Sequence, residues 1–139
     1  MGRIVGIDFG LKRTGIAVTD PMKIIASPLT TVATKDIFPF LKDYCGKESV
    51  EGFVVGMPKN LQNQDTHATS SVRKFIANLQ KQFPGIGVTE VDERFTSKIA
   101  LDAMIAGGMK KKDRRDKANI DKISATVILQ SYLDGNQLF

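Results

Sequence analysis

The N-terminal segment constrains the fold of this chain more than any other stretch. Arg3 to Asp8 is rich in Ile and Val and predicts a β-strand, and Thr14 to Thr19 predicts a second strand after a glycine-containing turn. The first strand ends on a carboxylate, Asp8, and strand alternation places Ile4 and Gly6 on the same face. Open α/β sheets bind ligands at the carboxyl ends of their strands, so Asp8 is a candidate functional residue. A plain Asp-Phe-Gly turn is the alternative interpretation.

Strand-length and helix-length patterns alternate along the rest of the chain. Short apolar runs predict strands, and stripes of apolar residues at helical spacing predict helices. The predicted strands are Lys23 to Val32, Glu51 to Met57 and Gly87 to Val91, and the predicted helices are Asp36 to Lys47, Thr66 to Phe83, Ser97 to Ala106 and Ile120 to Leu133, the last with Asn119 as its cap. This order predicts one α/β domain over residues 1–139, with a mixed central sheet flanked by helices.

The composition indicates the cellular compartment in which the protein works. The chain of 139 residues has one cysteine, Cys45, which cannot form an internal disulfide and favours a reducing compartment. Its apolar runs fall short of the ~20 residues that are needed to span a bilayer. We therefore expect a cytoplasmic protein that does not enter a membrane.

The positive charge is concentrated in one segment. Six lysines and arginines and two aspartates lie between Gly107 and Asn119, so these residues carry +4 of the chain's net charge of +5. A local excess of positive charge is typical of proteins that bind a polyanion, most often nucleic acid. A solvated loop that keeps the protein soluble is the alternative. This basic segment includes Lys110, Lys111, Lys112, Arg114 and Arg115.

Acidic residues lie at the ends of three predicted elements. Asp8 ends the first strand, Asp92 and Glu93 follow the strand that ends at Val91, and Asp121 begins the last helix. Asp121 is at helical spacing from apolar residues, and a carboxylate beside a buried face needs a partner. Each position has a structural alternative, such as a surface ion pair or a favourable interaction with the helix dipole. Together the acids predict a site of hard oxygen ligands suited to Mg²⁺ or Mn²⁺.

Five short segments keep a characteristic order and spacing along nearly the whole chain. They are Ile7 to Ala17, Val55 to Pro58, Val72 to Phe75, Val91 to Ser97 and Asp121 to Thr126. Together they resemble the YqgF (RuvX) family, whose members are described as Holliday-junction resolvases and as pre-16S rRNA nucleases. The resemblance implies an RNase H-like fold and a single RNase H-like nuclease domain.

The resemblance also implies roles for individual residues. Asp8, Glu93 and Asp121 are expected to be the catalytic acids and to bind the metal ions. Two positions depart from the family pattern: Asn63 stands where glycine is expected, and Ser124 stands where RuvC-like resolvases carry a fourth acid. The residues predicted to contact the substrate are Lys12, Arg13, Lys59, Asn60 and Arg94, with Lys110, Lys111, Lys112, Arg114 and Arg115 of the basic segment.

The same resemblance implies a role for the glycines near Asp8. Gly10 and Gly15 carry no side chain that would block access to this carboxylate. We expect the opening to let a phosphodiester come close. Two divalent ions ~3.5–4 Å apart would activate water and stabilise the leaving oxygen.

The predicted function is metal-dependent hydrolysis of phosphodiester bonds in structured nucleic acid. The substrate is either RNA, at the 5′ end of pre-16S rRNA in ribosome biogenesis, or branched DNA. A symmetric DNA junction would require two active sites, and hence a homodimer. The main alternative is a non-catalytic nucleic-acid-binding module in transcription or ribosome assembly. An actin-like phosphotransferase fits less well, because such enzymes close two domains around a nucleotide and this chain supplies one.

Overall fold

The described residues form five strands and three α-helices. The computed structural model describes residues 2–57, 67–92 and 117–137. The elements are β1 (Arg3–Asp8), β2 (Arg13–Thr19), β3 (Ala26–Ala33), α1 (Ile37–Lys47), β4 (Val50–Met57), α2 (His67–Gln82), β5 (Gly87–Asp92) and α3 (Lys117–Gln137), with a 3₁₀ turn at Thr34–Asp36. The predicted helix from Ser97 to Ala106 lies outside the described residues.

The strands form one mixed sheet in the order β3-β2-β1-β4-β5. The pairs β1–β2 and β2–β3 are antiparallel, whereas β1–β4 and β4–β5 are parallel. The three mutually parallel strands β1, β4 and β5 therefore finish at one end of the sheet, which we call the carboxyl end. The predicted mixed sheet flanked by helices is confirmed.

The largest differences from the predicted boundaries lie in β3 and α3. β3 begins at Ala26 and not at Lys23, because a turn precedes it. In that turn the carboxylate of Asp20 accepts hydrogen bonds from three following backbone N–H groups, and Lys23 adopts a positive φ of 58°. The last helix already includes Lys117, so Asn119 lies inside α3 and is not its cap.

The two faces of the sheet pack against different helices. One face and helices α1 and α2 enclose a cluster of large buried side chains, which includes Val5, Ile7, Ile16, Leu41, Phe53, Phe75 and Leu79. The other face packs against α3 through a cluster that includes Ile4, Ala17, Val54, Ala125, Ile128 and Leu129. Strand alternation thus divides the residues of β1 between two clusters.

Small residues let α3 lie very close to the sheet. A Cβ atom added to Gly6 would lie 2.7 Å from Cβ of Leu129, and one added to Gly15 would lie 2.1 Å from the backbone oxygen of Asp121. Ala17 also lies in this contact and is fully buried. A larger residue at Gly15 would push the beginning of α3 away from β2. The absence of a side chain at Gly15 therefore allows the N-terminal part of α3 to contact β2.

Candidate active site

Asp8 is the last residue of β1 and lies at the carboxyl end of the sheet. It shares a face with Ile4, which belongs to the cluster beneath α3. In the antiparallel register Asp8 lies opposite Gly15 of β2, and the residue is partly exposed. The structure therefore places Asp8 on the α3 side of the sheet, on the same face as Ile4, as the sequence predicts.

Asp121 reaches the same end of the sheet from α3. It is the fifth residue of this helix, and its backbone oxygen is the atom that a Cβ on Gly15 would meet. Gly15 is the cross-strand partner of Asp8, and the Cα atoms of such partners are about 5 Å apart. The structure thus brings together two of the three acids that the sequence assigns to the site.

The position of Asp121 within α3 argues against a helix-dipole role. The benefit of an acid falls off beyond the first turn of a helix. Asp121 lies beyond that turn, and Ala125 and Ile128, on its predicted stripe, are buried. Its side chain is 25% exposed, so the carboxylate borders the core and can be reached from solvent.

Arg13 is the partner of the Asp121 carboxylate. Its Nε donates a hydrogen bond to Oδ2 of Asp121 over 3.2 Å, and its side chain is 33% exposed. Arg13 begins β2 and alternates with Gly15, so it faces α3. The sequence assigns Arg13 to the substrate, whereas the structure shows it bound to a predicted metal ligand. Sequence reasoning missed this pair because 108 positions separate the two residues and no local pattern connects them.

Gly10 and Gly15 are needed for close packing of the chain, whereas the sequence analysis predicted that they give a substrate access to Asp8. A Cβ on Gly10 would lie 2.4 Å from the backbone oxygen of Arg13, and the space beside Gly15 is filled by α3. The expectation that both glycines leave room for a substrate is therefore wrong, because the chain itself occupies that room. Lys12 is exposed in the turn between β1 and β2, and its backbone oxygen accepts a hydrogen bond from the N–H of Thr34.

The other predicted site residues lie outside the described residues. They are Glu93, Lys59, Asn60, Arg94, Lys110, Lys111, Lys112, Arg114 and Arg115. Within residues 2–57, 67–92 and 117–137, no group of three or more acidic, histidine or cysteine side chains is placed to hold a metal ion. The described part of the site therefore consists of two carboxylates and a guanidinium group.

Cys45 lies away from these carboxylates. It is on α1 and packs against the cluster on the opposite face of the sheet. Burial raises the pKa of its thiol, which lowers the fraction of reactive thiolate at neutral pH. This environment is that of an inert thiol, not of a nucleophile.

Comparison with known proteins covers nearly the whole chain. A family model described as RuvX, Holliday junction resolvase, matches residues 2–135. A protein of Amoebophilus asiaticus named "Putative pre-16S rRNA nuclease" is 54% identical over 133 residues, which cover 96% of this chain and 94% of that protein. A protein of the same name from Porphyromonas gingivalis is 50% identical over 134 residues, which cover 96% of this chain and 97% of that protein.

A solved structure has the same fold. The RuvC protein of T. thermophilus, in complex with a Holliday junction substrate, matches with a TM-score of 0.59 and 20% sequence identity. The match covers 99% of this chain and 96% of that one. It confirms the predicted RNase H-like fold. Because the family match extends over residues 2–135 and the relatives are about half identical, the chain belongs to the RuvX family of nucleases, as its five sequence segments predict.

Proposed function

We propose that this nuclease hydrolyses phosphodiester bonds with divalent metal ions bound by Asp8 and Asp121. The observation that carries the proposal is the convergence of these two acids. One ends a central strand and the other lies on α3, yet both lie beside Gly15 on the same face of the sheet. Two carboxylates that lie close together repel each other, so this arrangement favours a bound cation.

The donor chemistry of the site fits Mg²⁺ or Mn²⁺. Both ions prefer oxygen ligands, and carboxylates supply them at partly exposed positions here. Divalent ions in such a site supply a water nucleophile at neutral pH and stabilise charge on the leaving oxygen. The role of Asp8 and Asp121 is to hold the ions, and the rigid strand and helix that carry them fix the distance between the two carboxylates.

Glu93 is the proposed third acid of the site. It follows Asp92 in the sequence, and Asp92 is the last residue of β5. β5 is two strands from β1 in the sheet, about 10 Å across the strand direction. For Glu93 to share an ion with Asp8, its side chain and the ion would together have to bridge this distance. Loss of cleavage in Glu93→Gln with unchanged stability would support this role, and full activity would contradict it.

The proposed substrate is pre-16S rRNA, because the relatives that are about half identical carry that name. The family description instead names a Holliday junction resolvase, and action on a junction would require a homodimer. A cytoplasmic location would suit the rRNA substrate. Among the described helices, none is long and apolar enough to cross a membrane.

The basic segment is proposed to bind substrate phosphates. Its positive charge is the reason, since phosphate contacts of Lys and Arg give salt-dependent affinity without reading bases. Replacing Lys110, Lys111, Lys112, Arg114 and Arg115 by Gln should flatten the slope of log affinity against log salt by ~0.7–0.9 per lost contact. An unchanged slope would mean that the path of the nucleic acid lies elsewhere.

A cleavage panel tests the proposed function. Purified protein is incubated with Mg²⁺, Mn²⁺ or a chelator, and with a pre-16S rRNA fragment, a single strand, a duplex or a four-way DNA junction. We expect ion-dependent cleavage of the rRNA fragment that stops in Asp8→Asn and continues in Asp43→Asn, an exposed acid on α1. Preferred cleavage of the junction would assign the substrate to DNA. Binding without cleavage under every condition would contradict catalysis and favour a binding module.

A further inference from the structure

The ion pair of Arg13 and Asp121 joins a cation of the protein to a carboxylate proposed to hold metal ions. Nε of Arg13 and Oδ2 of Asp121 are 3.2 Å apart. A guanidinium group stays charged at every pH at which proteins are folded, so deprotonation cannot release Asp121. A divalent ion that binds Oδ2 must therefore compete with a permanent positive charge.

The geometry allows such an exchange. Both side chains are about a quarter to a third exposed, so an ion and its water can reach the pair without opening the core. Ion pairs at this exposure contribute little free energy, which makes the guanidinium displaceable. The backbones on either side are fixed, because Arg13 begins a strand and α3 rests on Gly15. Only the long Arg13 side chain has to move.

We propose that Arg13 is a positioning residue that occupies Asp121 in the ion-free protein and gives it up when a divalent ion binds. The proposal rests on the proposed metal site at Asp8 and Asp121. Before the ion arrives, Arg13 offsets the repulsion between the two carboxylates. After the exchange, the freed guanidinium lies beside the bound ion, where its planar set of N–H donors matches a substrate phosphate. Arg13 thereby couples ion binding to substrate binding.

The test measures Mn²⁺ affinity of the free protein by electron paramagnetic resonance, without substrate. Arg13→Gln removes the competitor and should bind Mn²⁺ about two- to fivefold more tightly than the wild type, as expected for a partly exposed pair. Arg13→Lys keeps the charge and should restore most of the wild-type affinity. If Arg13 instead orients Asp121 for ion binding, Arg13→Gln should bind Mn²⁺ more weakly than the wild type, because Asp121 would no longer be held in place.

Arg3→Gln is the matched control. Nε of Arg3 and Oε2 of Glu48 form a similar pair at 3.3 Å, at the other end of β1. This variant also loses one positive charge, but at a position roughly 16 Å from Asp8 along β1. That distance exceeds the screening length at physiological salt. Its Mn²⁺ affinity should equal that of the wild type.

The outcomes separate this inference from the proposed function. Asp8→Asn shows whether Mn²⁺ binds at the site at all, and binding that is insensitive to it would contradict both proposals. Wild-type binding that depends on Asp8, with unchanged or weaker affinity in Arg13→Gln, would overturn the role of Arg13 and leave the metal site standing. Tighter binding in Arg13→Gln, with Arg3→Gln unchanged, would support it.

Discussion

The two faces of the sheet are packed in opposite ways. Toward α1 and α2 the core is built from large side chains, such as Phe53, Leu41 and Leu79, all buried. Toward α3 the contact requires glycine, because the backbone at Gly6 and Gly15 touches the helix directly and leaves no room for a side chain. The first face buries more apolar volume, whereas the second brings a helix backbone against the strands.

The difference shows how the fold supports its site. Large side chains keep a helix at a distance from the sheet, and such contacts tolerate changes that conserve volume. A helix that rests on glycine has no such freedom, so its residues are fixed relative to the strand below. Asp8 and Asp121 lie on the α3 side, where this constraint applies. We therefore expect the first face to determine mainly stability and the second to determine activity as well.

The largest loss of stability is expected on the first face. Leu79→Ala empties a fully buried position on α2 and should lower the free energy of unfolding by about 2–5 kcal/mol. Urea unfolding measures the loss. Cleavage per folded molecule should stay close to the wild-type rate, because Leu79 packs on the side of the sheet away from Asp8. The exposed neighbour Gln80→Ala is the control and should be neutral. A parallel loss of activity in Leu79→Ala would show that both faces support the site.

A smaller loss of stability, with a larger effect on activity, is expected on the second face. Gly15→Ala places a Cβ atom against the backbone of α3 and should cost about 1–3 kcal/mol of unfolding free energy, as overpacking does. Displacement of Asp121 should also lower cleavage. Gly52→Ala is the matched control, since the nearest atoms to its Cβ would be 3.9 and 4.0 Å away. Normal cleavage by a folded Gly15→Ala protein would show that close packing of α3 is not needed.

The smallest change in stability is expected for Asp121→Asn. It removes the partly exposed pair with Arg13 and should cost no more than ~1 kcal/mol, while cleavage falls. Glu48→Gln removes the similar pair with Arg3 and should cost about as much without affecting cleavage. Thermal unfolding and cleavage rates of both variants make the comparison. Equal activity of the two variants would remove Asp121 from the mechanism.

Local patterns were sufficient to predict most of the fold and the face of Asp8. Apolar runs mark β1, β2 and β4, an apolar stripe marks α2, and alternation from Ile4 leads directly to Asp8. The start of β3 was wrong because the Asp20 side chain stabilises a turn that hydrophobicity alone does not reveal. Asn119 was wrongly predicted as a cap because residues before it also adopt the helix.

Long-range contacts could not be predicted from the sequence. The glycines were visible, but the sequence does not say that α3 fills the space beside Gly15. The pair between Arg13 and Asp121 depends on how β2 and α3 meet in the folded chain. The sequence predicted that the candidate acids lie near one another, whereas the guanidinium group of Arg13 beside Asp121 was visible only in the structure.

A double-mutant cycle tests most directly whether Asp8 and Asp121 act as one metal site. Cleavage rates are measured for the wild type, Asp8→Asn, Asp121→Asn and the double variant at saturating Mn²⁺. Each single change should lower the rate more than about 100-fold, since even groups that only support metal ligands account for 10–100-fold. Because the two acids serve one step, the double variant should be no slower than the slower single variant. Two single losses that multiply in the double variant, or a single variant with near-normal activity, would contradict a shared metal site.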